Sequence, residues 1–165
     1  MLDLPTTDWA NFFFAQVGAS ATLAGLLVVA ISINLTRILA FQHLPAQAGG
    51  TLAVLTGVLI LASIALMPKL PDPVFGMAAM IIGAAAIALA TVNQLRFPVD
   101  RDNITSMQRY ARSAIIMLAS LPFVIGGLML LMDLDSGLYW IAIGMISALV
   151  AGVLSTWILL VEILR

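Results

Sequence analysis

The sequence predicts an all-α polytopic membrane protein. It predicts one domain, a bundle of about five transmembrane helices, with the N-terminus outside and the C-terminus in the cytoplasm. Three observations lead there. Of the 165 residues, 62% are hydrophobic and 9% are charged, whereas an ordinary soluble domain carries about 25% charged residues. The apolar residues fall into five stretches, each near the roughly 20 residues that a helix needs to cross a bilayer. The basic residues lie in alternate connections between those stretches.

The stretches cover residues 12–36, 48–67, 74–95, 110–132 and 138–160. The breaks between them have physical causes. Arg37 to Pro45 is polar and ends in proline. Pro68-Lys69-Leu70-Pro71-Asp72-Pro73 holds three prolines and two charges, so no helix continues through it. Arg96 to Gln108 carries much of the charge, and Asp133-Leu134-Asp135-Ser136-Gly137 reads as a short acidic turn. The N-terminal segment contains Asp3 and Asp8 but no Lys or Arg, so no signal peptide is expected.

Orientation follows from the Lys and Arg residues of short loops. Arg37, Arg96, Arg101, Arg109, Arg112 and Arg165 fall on one side, and Lys69 alone on the other. The basic side is predicted to be cytoplasmic. Trp9, Phe12, Phe75, Tyr139 and Trp140 then fall at the outer interface, where aromatic side chains concentrate.

Several function classes have no support in the sequence. There are no cysteines and only one histidine, His43, so one chain offers neither thiolate chemistry nor a zinc ligand set. No metal or cofactor is expected. The net charge of −1 gives no electrostatic footprint for nucleic acid. No ionisable group lies at the middle of a predicted span, which removes the usual equipment of proton-coupled and voltage-sensing machines. No nucleophile and base are paired, so an enzyme is not expected.

The first span carries two distinct faces. Gly18, Thr22, Gly25 and Ser32 lie on a stripe without large side chains, the device by which membrane helices approach closely. About half a turn away lie Gln16, Ser20 and Asn34, with Leu27 and Ile31 between them. A helix with a small face and an amide-bearing face is predicted to be central. Gly83 in the third span and Gly144 in the fifth continue the small-residue theme, so these three spans are expected to form the tight interior. The second and fourth, richer in Leu, Ile and Met, are expected to face lipid, Leu130 among them.

Two readings of the amide-bearing face compete. One is interhelical hydrogen bonding. The other is a hydrated route lined by Gln16, Ser20 and Asn34, with Leu27 and Ile31 as an apolar neck and Asn93 and Glu162 near its inner end. Arg96, Arg101, Arg109 and Arg112 are expected to meet anionic lipid headgroups.

The segments Trp9-Ala10-Asn11-Phe12-Phe13, Gly18-Ala19-Ser20-Ala21-Thr22-Leu23-Ala24-Gly25-Leu26 and Ser32-Ile33-Asn34 stand near one end of the chain. Trp157-Ile158-Leu159-Leu160-Val161-Glu162-Ile163-Leu164-Arg165 closes the other. Together they resemble a small, functionally uncharacterised family of bacterial multi-spanning inner-membrane proteins. The resemblance is confined to the two ends. It implies a bacterial inner membrane and brings no activity or site residues with it.

Two functions are carried forward. The first is a homo-oligomeric channel or facilitator for a small ion, cations favoured by the acidic outer loops, or for a neutral solute. The second is a non-transporting structural or regulatory subunit of a membrane complex.

Overall fold

The computed structural model describes residues 7–40, 44–96 and 106–164. Among them there are helices and turns and no strand. The helices are α1 Thr7–Ile33, α2 Leu35–Ala40, α3 Leu44–Ala65, α4 Asp72–Arg96, α5 Ser106–Leu131 and α6 Gly137–Leu164. Four are long and apolar enough to cross a membrane, over Trp9–Ile33, Ala48–Ala65, Asp72–Val92 and Gly137–Trp157. The fifth long helix, α5, has 26 residues, and among the residues whose side chains are described its apolar stretch is Ala119–Leu131. The chain is thus a helical membrane protein with five long helices.

The six-residue helix α2 follows α1 after a turn at Asn34. The backbone N–H of Asn34 reaches Ala30 O at 3.3 Å, and its side-chain Nδ2 donates to the same carbonyl at 3.1 Å. An amide side chain that competes for a helix carbonyl weakens the regular ladder at that point.

The turns are set by local chemistry. The carbonyl of Pro71 accepts from Val74 N at 3.0 Å and Phe75 N at 3.2 Å. Pro73, which has no N–H to lose, then occupies the first turn of α4. Helix α5 ends with Asp133 in the left-handed region at φ 57°. There Leu134 N donates to Met129 O at 3.0 Å and Asp133 N to Leu130 O at 3.2 Å. That paired pattern closes the last turn of a helix, and Asp tolerates it better than most residues.

Helices α3, α4, α5 and α6 form a closed ring in that order, and α1 packs outside it, chiefly on α3 and less on α6. The core joins Phe13, Val58, Leu61, Phe75, Phe123, Ile141 and Met145 from all five long helices. Three expectations need correction here. The first span is peripheral, because only its Phe13–Gln16–Ser20–Leu27 face turns inward. The second span, α3, is the shared neighbour of α1, α4 and α6, and its Leu55, Val58, Leu61 and Ala62 are buried. On α5 the correction concerns Leu130, which is 1% exposed, whereas Leu121, Leu128 and Leu131 are exposed as expected. A helix that is apolar on every side gives no periodic signal for which side meets lipid and which meets protein.

The tightest approaches lie between α4 and α5 and between α5 and α6. A Cβ added at Gly76 would stand 2.7 Å from Gly127 O, and one at Gly126 would stand 2.7 Å from Gly137 O. Adjacent positions on a helix point about 100° apart, so Gly126 and Gly127 serve two different neighbours.

Candidate functional site: the two faces of the first helix

Gln16, Ser20 and Leu27 share one face of α1 at helical spacing, and all three are buried. The Ser20 hydroxyl donates to Gln16 O at 2.6 Å and has a longer contact with Val17 O at 3.2 Å. This satisfies the hydroxyl's hydrogen within its own helix. The Gln16 amide is different. Its Oε1 is buried and has no hydrogen-bond partner among the described residues.

Farther along the face, Ile31 packs on Ile38 and Ala48. Asn34 is half-buried, and its amide serves Ala30 O. Of the residues expected to line a hydrated route, Gln16, Ser20, Leu27, Ile31 and Asn34 are therefore packed or half-packed within one chain. The expected neck residue Leu27 is 1% exposed. The physical reason is the position of α1: this is the side by which it joins the helices of the ring.

The opposite face is open. Gly18, Thr22, Gly25 and Ser32 are exposed, and a Cβ added at Gly18 or Gly25 would meet nothing within 4 Å. The stripe expected to pack closely thus has no partner among the described residues. Its hydroxyls need none: Thr22 Oγ1 donates to Gly18 O and Ser32 Oγ to Val28 O, each at 2.8 Å. Hydroxyls satisfied this way are compatible with apolar surroundings.

Gly83 and Gly144 have a common neighbour. A Cβ at Gly83 would lie 2.9 Å from Phe123 Cβ, and one at Gly144 would lie 3.2 Å from the Phe123 ring. The phenyl group of α5 is seated where α4 and α6 both lack side chains.

At one end of the bundle, Trp9 stacks on Phe13 at 5.9 Å and meets Tyr139 edge-on at 5.1 Å, while Phe13 meets Phe75 at 5.8 Å. The rings thus tie the start of α1 to α4 and α6. Sequence reading had placed Trp9, Phe75 and Tyr139 at a single depth without joining them. Nearby in sequence, Asp72 Oδ1 is buried without a hydrogen-bond partner among the described residues, whereas Asp133 and Asp135 are exposed. No group of three or more His, Cys, Asp or Glu among the described residues could hold a metal ion.

Arg101 lies outside the described residues, as do the side chains of Arg96, Arg109, Arg112, Asn93 and Glu162. No family model, curated protein or solved structure matches the chain.

Proposed function

We propose that the chain is a non-transporting helical subunit of a membrane assembly, joined to a second copy of itself through the open face of α1. The observation that carries this reading is the inversion of the two faces of α1. The polar pair Gln16 and Ser20 is inside, and the small stripe Gly18–Thr22–Gly25 is outside with open space above it. Small residues exposed on an edge helix permit a second helix to approach closely, which is how spans associate where hydrophobicity supplies no drive. All copies inserted in one orientation carry the stripe at the same depth, so it is complementary to itself about a two-fold axis.

A bacterial inner membrane, an outside N-terminus and a cytoplasmic C-terminus complete the proposal. They rest on the distribution of Arg and Lys and on the resemblance of the two chain ends. The channel reading would require a route between copies, because the amide-bearing face of α1 is occupied within each chain.

The test is disulfide cross-linking in native membranes from single cysteines at Thr22 and Gly25, with Val153 on the exposed side of α6 as a control. Dimers at the first two positions and not at Val153 are expected. Gly18→Leu with Gly25→Leu should then abolish the dimer without lowering the melting temperature of the chain. Equal cross-linking at all three positions, or none at any, would remove the proposal.

A further inference from the structure

We infer that Gln16 and Ser20 hold a single structural water molecule inside the bundle. Gln16 is 8% exposed and Ser20 is fully buried. Gln16 Oε1 accepts no hydrogen bond from the described residues, and an unmatched buried acceptor in an apolar setting is unfavourable. Ser20 Oγ has committed its hydrogen to the helix carbonyls of Gln16 and Val17, so its lone pairs are also acceptors. Two acceptors cannot satisfy each other. They call for one small species with two donor hydrogens.

The spacing suits water. Side chains four residues apart on a helix have Cβ atoms about 5–6 Å apart. Two O–H···O bonds of about 2.7–2.8 Å each, set at the bent angle of water, let one water bridge oxygens roughly 4.5 Å apart. Phe13 and Leu27, on the same face to either side, are each 1% exposed, so the polar pair is bounded along the helix by packed apolar groups. Neither neighbour can donate a hydrogen bond.

Buried waters of this kind serve otherwise unsatisfied polar groups and are integral to the structures that hold them. This water would fix the rotamer of Gln16 against the ring of helices. It is independent of dimer formation, because the stripe used for docking lies on the other side of α1.

Water-edited solid-state NMR of the wild-type protein in deuterated-lipid bilayers tests the inference directly. Magnetisation transfer from water to the Gln16 carboxamide and to Ser20 is expected, well above that at Ala62, which is fully buried on α3. Ser20→Ala, which removes one of the two acceptors, should lose most of the transfer to Gln16. Transfer at Gln16 and Ser20 no greater than at Ala62 would overturn the inference, and so would transfer to Gln16 unchanged in Ser20→Ala.

Discussion

Gly76 and Gly127 face each other so closely that each lies where the other's side chain would be. A Cβ at Gly76 would stand 2.7 Å from Gly127 O, and one at Gly127 would stand 2.5 Å from Gly76 O. Both obstacles are backbone atoms, which cannot rotate away. Gly127→Ala should therefore destabilise the chain by about 1–3 kcal/mol, the usual range for overpacking, and Gly76→Ala should do likewise. Gly18→Ala, with open space above it, should leave stability unchanged. Thermal unfolding in detergent distinguishes these outcomes.

Leu27→Ser separates a packed interior from a gate. Leu27 is 1% exposed, so serine there leaves a void and a new hydroxyl. Loss of a buried leucine's bulk commonly costs about 2–5 kcal/mol. The variant should melt at a lower temperature, and planar bilayers containing folded wild type or variant should stay silent. Ion conductance that rises in Leu27→Ser would restore the channel reading.

Topology is open to direct measurement. Single cysteines replacing Asp3 and Asp135 should react with an impermeant thiol reagent applied outside intact cells. Cysteines replacing Gln47 and Asn103 should react only after permeabilisation. Labelling of Asn103 together with protection of Asp135 would reverse the orientation inferred from the basic residues.

The Arg-rich stretch from the end of α4 to the start of α5 should retain anionic lipid. Each basic residue near an anionic surface contributes roughly 1 kcal/mol, partly offset here by Asp100 and Asp102. Changing Arg96, Arg101, Arg109 and Arg112 together to Gln should lower the anionic lipid that co-purifies, measured by mass spectrometry of the extract. Equal retention by both proteins would refute this.

Much of the fold is legible in the sequence. Composition, the spacing of apolar stretches and the proline-rich connection at residues 68–73 determine a helical membrane bundle and the places of its long helices. They do so because lipid offers no partner for backbone groups, and helices satisfy those groups internally. The sequence also separated the two faces of α1 correctly, Gln16 and Ser20 on one side and Gly18 and Gly25 on the other. It did not determine which face turns inward. In water, burial follows polarity, but in lipid both the small and the amide-bearing faces are plausible contacts, and the surrounding solvent does not choose between them. Tertiary structure made that choice. It set α1 outside the ring, made α3 the shared neighbour, and brought Gly76 to Gly127 and Gly126 to Gly137. Those pairings depend on where backbones cross, which is decided by the fit of several helices at once and by no residue pattern within any one of them.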